Sequence, residues 1–378
     1  MAERIAGIFD VDGLIGSVPF LSMEQGLANI MNTGLNITFL GIELTSPVIV
    51  GSCPLTIEPE AVRQLACAGA GAIVLPSILQ EQIVYSALKT TAPNGAMDHS
   101  GYQPQQDEYN GGIDNYLTTI RTLKRQEKIP ILGSINGSDV GIWIEFAKEI
   151  QDSGADALQL TWPPILSPPD VSADAVEAIL VDAVRHLRKS ISIPIAVKLN
   201  QRFTNIASVA HQLHDAGADG LILFTHVPEW DVTVNRMHWT VRWELSPIHS
   251  LGQTLEGIVH ARIGGLRIPI AASGGVRTGE DAIKTMIAGA DVVMVTSEIY
   301  REGPDVVCKI NQGIRQFLTN SPHHSLRAFQ QARPSVELGP MRKMRLEYVE
   351  PLTRTTHYFD PTPNATTNTG NGYGHKAT

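Results

Sequence analysis

The chain has 378 residues, 43% of them hydrophobic, and a formal net charge of −9. That composition supplies a large buried core, and an acidic balance without a basic cluster argues against nucleic acid and membrane as partners. Three cysteines (Cys53, Cys67, Cys308) in no CxxC pair, no membrane-length apolar run and no leader-like N-terminus point to a soluble, cytoplasmic protein.

Residues 1–34 form an N-terminal extension in which Leu14 to Met31 reads as a helix, packed under the following domain or used as an oligomer contact. Phe9-Asp10-Val11-Asp12-Gly13 resembles the first motif of haloacid-dehalogenase phosphatases, but the rest of the chain follows another architecture and an acidic turn is the reading kept. From there one sentence is written three times: Ile-Pro-Ile opens a strand, a helix follows, and a Gly-Ala-Asp turn opens the next strand. The copies run from Ile129 to Asp156, Ile193 to Asp219 and Ile268 to Asp291, with a degenerate turn at Ala68-Gly69-Ala70-Gly71. Strands are predicted at Pro47–Gly51, Ala72–Leu75, Pro130–Ser134, Ala157–Leu160, Pro194–Leu199, Gly220–Phe224, Pro269–Ala272 and Val292–Val295. Their apolar, β-branched runs suit a parallel sheet covered on both faces.

Ser138 or Asp139 is expected to cap a helix with Ile142, Phe146, Ala147 and Ile150 inward, and Thr204 or Asn205 one with Ile206, Val209 and Leu213 inward. The economical fold is an α/β (β/α)8 TIM barrel over residues 35–350, with long loops at its C-terminal face. Those loops are Glu81 to Gly112, carrying His99, Tyr102 and Tyr109, and Thr225 to Ser250. Residues 351–378, rich in Thr, Asn and Gly, read as a disordered tail.

Barrels of this kind place their chemistry at the C-terminal strand ends. Strand seven ends Ala272-Ser273-Gly274-Gly275-Val276 and strand eight Thr296-Ser297. Glycines let backbone N–H groups approach an anion, so Gly274, Gly275, Thr296 and Ser297 form a candidate phosphate site, against the plainer reading of a tight turn. Lys198, at the end of an apolar strand, is costly to bury unless it meets an anion; the plainer alternative is a lysine snorkelling at the rim. Gly51-Ser52 would let a planar ring lie against the backbone, while Ser77 and Asn136 either donate to a cofactor or cap the next helix. His226 is the best-placed proton-transfer group, its alternative being a hydrogen-bonded wall residue; His238 and His249 are weaker candidates. No side-chain spacing suggests a metal.

Together these segments resemble the dihydroorotate dehydrogenase family, more closely its "dihydroorotate dehydrogenase-like" branch, over roughly Leu35 to Thr319. The matches are Phe39-Leu40-Gly41-Ile42-Glu43-Leu44, Pro47-Val48-Ile49-Val50-Gly51-Ser52, Ile73-Val74-Leu75-Pro76-Ser77, Ser134-Ile135-Asn136-Gly137, Val197-Lys198-Leu199, Ala272-Ser273-Gly274-Gly275-Val276 and Ala288-Gly289-Ala290-Asp291-Val292-Val293-Met294. The resemblance implies an FMN-containing barrel, with phosphate on Gly274, Gly275, Thr296 and Ser297, Lys198 at the flavin ring and Gly51-Ser52 on the other side. It also implies a homodimer.

The family follows strand four with Asn-Leu-Ser-Cys-Pro-Asn, which supplies substrate amides and a Cys or Ser base. Here the stretch is Gln159-Leu160-Thr161-Trp162-Pro163-Pro164. Trp162 cannot accept a proton. Pro76 replaces a lysine often found after strand two, and Phe224-Thr225-His226 replaces Asn-Thr-Asn. The leading expectation is an FMN-dependent oxidoreductase acting on a small molecule other than dihydroorotate, held near Trp162 and Tyr102, with His226 first and Thr161 second as proton acceptor. Two alternatives stay open: a flavin- or phosphate-binding barrel without turnover, acting as a subunit or regulator, and a non-flavin barrel enzyme on a phosphorylated substrate. With no Fe–S cysteine cluster in the chain, any electron-transfer partner is a separate protein.

Overall fold

A computed structural model of the protein describes residues 34–91, 100–138, 140–164, 167–247, 250–337, 339 and 343. The expected helix Leu14–Met31, the acidic turn at Asp10, His99, Asp139, His249 and the tail 351–378 lie outside the described residues. The described chain opens with a hairpin of β1 (Ile37–Phe39) and β2 (Ile42–Leu44), turned through Leu40 and Gly41 at φ 54° and 75°. Next come β3 (Val48–Val50), α1 (Pro59–Cys67), β4 (Ala72–Val74), β5 (Ile78–Leu79), α2 (Gln80–Thr91), α3 (Gln105–Asn110), α4 (Gly112–Gln126) and β6 (Ile131–Asn136). They are followed by α5 (Trp143–Asp152), β7 (Ala157–Thr161), α6 (Ala173–Ser190), β8 (Ile195–Leu199), α7 (Ile206–Ala216) and β9 (Gly220–Leu223). A second hairpin, β10 (Glu229–Thr233) with β11 (His238–Arg242), precedes α8 (Leu251–Arg262), β12 (Ile270–Ser273), α9 (Gly279–Ala288) and β13 (Val292–Val295). The described elements end with α10 (Ser297–Glu302), α11 (Asp305–Asn320) and α12 (Leu326–Ala332).

Parallel pairing runs β4-β3-β13-β12-β9-β8-β7-β6, and β4 pairs with β6 as well as β3. The sheet therefore closes into an eight-stranded (β/α)8 barrel, with six of its strands at the places the three repeats assign them and β3 and β4 where the apolar runs predict them. The two long connections are more ordered than loops. The first contains α2 and α3, and the second folds into the β10–β11 hairpin.

The repeat has a specific physical purpose. Asp156 N donates to Ile131 O at 2.9 Å while Ile131 N donates to Asp156 Oδ2 at 2.7 Å. Asp219 and Ile195 exchange the same pair at 2.8 Å and 2.8 Å, as do Asp291 and Ile270 at 2.7 Å and 2.8 Å. Each carboxylate also meets a cation from the last turn of a preceding helix: Lys124 of α4, Arg188 of α6 and Arg262 of α8. A cation there also complements the helix dipole. These links fix how β6, β8 and β12 sit against β7, β9 and β13; a one-residue slip would turn every side chain to the wrong face. At the same end, Leu40 plugs the barrel against Gly220, where a Cβ would collide with the leucine side chain.

Two helix starts differ in outcome. Asn205 caps α7 by accepting from Ser208 N at 3.1 Å, and Ile206, Val209 and Leu213 are buried. For α5 the expectation needs correcting. Ser138 instead accepts from Gln80 Nε2 at 3.1 Å, the helix begins only at Trp143, and Ile142 is 43% exposed. Trp143, not Ile142, takes the inward place at the helix start, its buried ring lying against Gly137.

Removing one aspartate measures the register lock. Asp291→Ala strips an acceptor from Ile270 N and leaves the mostly buried Arg262 guanidinium, also beside Arg333, without its carboxylate. Urea unfolding is expected to lose about 3 kcal/mol of stability. Glu280→Ala, which breaks the exposed pair with Lys284, should lose less than about 0.5 kcal/mol. Equal losses would contradict the account.

Candidate active site

Strand register sorts the polar side chains of the barrel interior. Gly133 faces the helices, because a Cβ there would run into Ile150 of α5, so Ser134 and Asn136 point inward. Pairing aligns Ser134 with Gln159 and Ala196, and Asn136 with Thr161 and Lys198. The layer nearest the C-terminal mouth thus carries an amide, a hydroxyl and an ammonium group side by side.

A hydrogen-bonded chain runs beneath and beside that layer. Ser52 Oγ lies 3.5 Å from Ser77 Oγ, which is 2.7 Å from Ser134 Oγ. Gln159 Nε2 donates to Ser134 Oγ at 2.9 Å and to Thr161 Oγ1 at 3.0 Å. Gln159 itself is fully buried and its Oε1 has no partner. A buried orphan acceptor costs on the order of 1–3 kcal/mol, so it marks a place for a ligand donor.

Lys198 is 9% exposed and its ammonium group makes no hydrogen bond or ion pair among the described residues. Burial brings its pKa down to about 8, with the nearby Cys53 pulling weakly the other way. Cys53, at the end of β3, is pushed up to about 11 by burial and is a neutral thiol at pH 7. The interior therefore holds a cation with no counter-charge, the environment that a reduced, anionic flavin ring or an enolate would satisfy.

The opposite side of the mouth is shaped by glycines. A Cβ on Gly51 would strike Thr296 Oγ1, so the end of β3 and the end of β13 touch. Gly275, at φ 78°, has the backbone of Leu251 where a Cβ would stand, and Gly274 lies against Thr254. The N–H groups of Gly275 and Val276 donate to no acceptor among the described residues, and they lie beside the N-terminus of α8. This cradle suits a phosphate. Ser297 is engaged elsewhere: its Oγ accepts from Ser246 N at 3.0 Å and lies 3.2 Å from Ser246 Oγ. Together the glycine cradle, the unpaired Lys198 ammonium and the orphaned Gln159 acceptor have the chemistry a flavin mononucleotide would need, anion donors and a cation in one mouth.

The remaining expected residues are placed as follows. The Thr161 hydroxyl is buried and occupied by Gln159, and Trp162 is buried with its backbone N–H donating to Lys198 O at 2.9 Å. Asn136 is half-buried at the mouth, and Ser77 caps no helix. His226 is half-buried, its ring edge-on to Trp243 at 4.9 Å; burial lowers its pKa and keeps the imidazole neutral at pH 7. Tyr102 stacks on Tyr85 at 4.1 Å and donates to Asp107 Oδ2 at 2.7 Å.

Sequence reasoning named Tyr109 only as part of the first long loop, gave Cys53 and Gln159 no role, and passed over Tyr300. Asn110 Nδ2 donates to Ser77 O at 2.8 Å, which brings Tyr109 beside Ser52. Burial raises the pKa of Tyr109, and likewise that of Tyr300, which faces Cys53. The signal for Tyr109 was its place just before Asn110-Gly111-Gly112, a turn that pins the end of α3 to the strand ends.

The pKa of Lys198 in the fold lies below its value of 10.5 in the unfolded chain. Between about pH 8 and 10.5 the unfolded state therefore holds the extra proton, and stability rises with pH across that window. In flavin-free protein, Lys198→Met should be the more stable form at pH 7 by about 2 kcal/mol, an advantage that vanishes by pH 10.5. Urea unfolding at both pH values checks this, and equal stability at pH 7 would contradict it.

The profile of the dihydroorotate dehydrogenase family matches residues 34–318. The chain is 28% identical over 306 residues to "Dihydroorotate dehydrogenase B (NAD(+)), catalytic subunit" of Methanocaldococcus jannaschii, covering 75% of this chain and 93% of that protein. It is 26% identical over 306 residues to "Putative dihydroorotate dehydrogenase A (fumarate)" of Aeropyrum pernix, covering 75% and 92%. A profile match over well over half the chain, on a closed barrel with this mouth, has one reading: the chain belongs to the dihydroorotate dehydrogenase family.

Proposed function

We propose that this protein is an FMN-dependent oxidoreductase acting on a small molecule other than dihydroorotate. The observation that carries the reading is Lys198, an unpaired ammonium buried in the same mouth as the orphaned acceptor of Gln159. Bound FMN supplies a hydride-accepting ring, and the chain supplies its surroundings. The backbone of Gly274 and Gly275, with Thr296 nearby, would hold the phosphate, and Gly51-Ser52 would flank the ring. Ser77 and Asn136 offer polar contacts at its edge. Lys198 would stabilise negative charge developing beside its ammonium group. His226, neutral at pH 7, takes a proton at an imidazole nitrogen, with Thr161 the weaker candidate because Gln159 occupies its hydroxyl.

Support for a different substrate comes from the stretch after β7. The family resemblance puts a Cys or Ser base there, whereas this chain has a buried tryptophan and two prolines. The bulk of Trp162 would narrow the pocket, Pro164 removes one amide and Gln159 sets the other one methylene further out, so a planar or unsaturated substrate with fewer polar edges suits it. Electrons leave or enter through a separate protein, in keeping with relatives named as catalytic subunits and with cysteines too few and scattered for a cluster.

Two measurements test this. Under anaerobic conditions dihydroorotate should leave the flavin band of the protein intact, and full bleaching within seconds would overturn the substrate assignment. Gly275→Ala, which forces a side chain onto Leu251 at a positive φ, should weaken FMN binding at least tenfold by fluorescence titration, with unchanged affinity contradicting the phosphate assignment.

A further inference from the structure

The strap Trp243–Ser246, which follows β11, is held at both of its ends. At the near end Trp243 stands edge-on to the His226 ring at 4.9 Å, and the ring also bonds the backbone carbonyl of Glu244. At the far end Ser246 N donates to Ser297 Oγ at 3.0 Å, and Ser246 O accepts from Arg301 Nη2 at 2.7 Å. Ser297 and Arg301 belong to α10, which starts directly after Thr296 at the candidate phosphate cradle.

Between the cradle and the strap lies Glu298. It is 2% exposed, and its Oε1 accepts from Arg277 Nε at 3.0 Å and from Arg301. Arg277 stands two residues after Gly275, on the glycine turn itself. One buried carboxylate thus ties the turn that would receive a phosphate to the strap that holds His226. Two guanidinium groups share that carboxylate, so the cluster keeps a surplus positive charge. The Nη groups of Arg277 make no hydrogen bond among the described residues. A buried ion cluster is weak evidence for stability, because apolar packing would join the same elements without the cost of desolvating charge. What apolar packing lacks is sensitivity to an anion placed beside it.

We propose that Glu298 is a positioning residue, which makes filling of the cradle by a phosphate monoester and fixing of the His226 ring a single event. An anion beside Gly275 offsets the surplus positive charge of the cluster. Repulsion between Arg277 and Arg301 falls, both close on Glu298, and Arg301 holds Ser246 more firmly. The strap from Ser246 back to Trp243 loses freedom, and the His226 ring loses it with the strap. Binding energy from a phosphate remote from the reacting atoms is in this way applied to orienting the proton-transfer wall. This linkage rests on the flavin reading of the cradle and adds to it a physical route from phosphate to base.

Hydrogen exchange tests it, because the Ser246 amide reports its own bond to Ser297. The full chain is measured alone, with saturating riboflavin, which lacks the phosphate, and with saturating FMN. FMN should slow exchange at Trp243 to Ser246 at least about tenfold, and riboflavin less than about twofold. In Glu298→Gln, FMN should still bind but no longer protect these amides. Equal protection by the two flavins overturns the proposal, and so does FMN protection that persists in the variant. If Glu298→Gln fails to fold or to bind FMN, Arg301→Lys takes its place, since it sits at a partly exposed position and keeps the charge while losing the fork onto Ser246. The same loss of protection is expected there, and its persistence counts against the proposal. A parent that binds neither flavin overturns the flavin reading and this linkage together, whereas FMN binding without selective protection of the strap overturns the linkage alone.

Discussion

The reciprocal bond between a turn aspartate and the first amide of the preceding strand is the interaction on which the remaining structure depends. It occurs three times, at Asp156, Asp219 and Asp291, each time with a cation from a helix end. Because side chains alternate along a strand, these bonds decide which residues see the interior. Asp219 anchors Ile195, three residues before Lys198, at the far end of the same strand. A carboxylate at the floor of the barrel thus sets the orientation of an ammonium group at its mouth.

The same constraint explains why a costly residue persists at the mouth. Lys198 has given up water without gaining a partner, and Gln159 beneath it holds an acceptor that nothing satisfies. Each feature alone destabilises the empty fold by an amount comparable to a sizeable part of a domain's net stability. Their coincidence at the C-terminal strand ends, opposite a glycine-lined cradle, makes chemical sense once a ligand brings both negative charge and a donor. Strain against stability at such a point is where sequence rules for folding give way to function.

The barrel was readable because its signals are local and repeated. Ile-Pro-Ile marks a strand start and Gly-Ala-Asp a strand entry, so the three copies place six of the eight strands, and apolar β-branched runs place the other two. Lys198, Gly51, Gly274 and Gly275 were legible for a related reason: a charge or a glycine is anomalous in a buried apolar strand. What stayed hidden depends on tertiary neighbours. Gln159 reads as a lost asparagine until the register sets it beside Ser134. Ile142 fits a helical period but is displaced by Trp143 folding onto Gly137. The contact of Ser297 with Ser246 at the hairpin root is likewise a tertiary pairing that no local signal announces. The alternation Trp230-Val232 and Trp239-Val241 was present in the sequence, yet a period of two at the surface signifies a hairpin only when its turn is recognised.

The central claim is that the charged mouth is built around a flavin. The visible absorption spectrum of freshly purified protein, followed by release and identification of any chromophore, tests it most directly. The account requires a flavin spectrum, or its appearance on adding FMN to colourless protein, with FMN as the compound released. A colourless protein that also fails to take up FMN would contradict it, and would leave Lys198 and Gly275 facing some other anion.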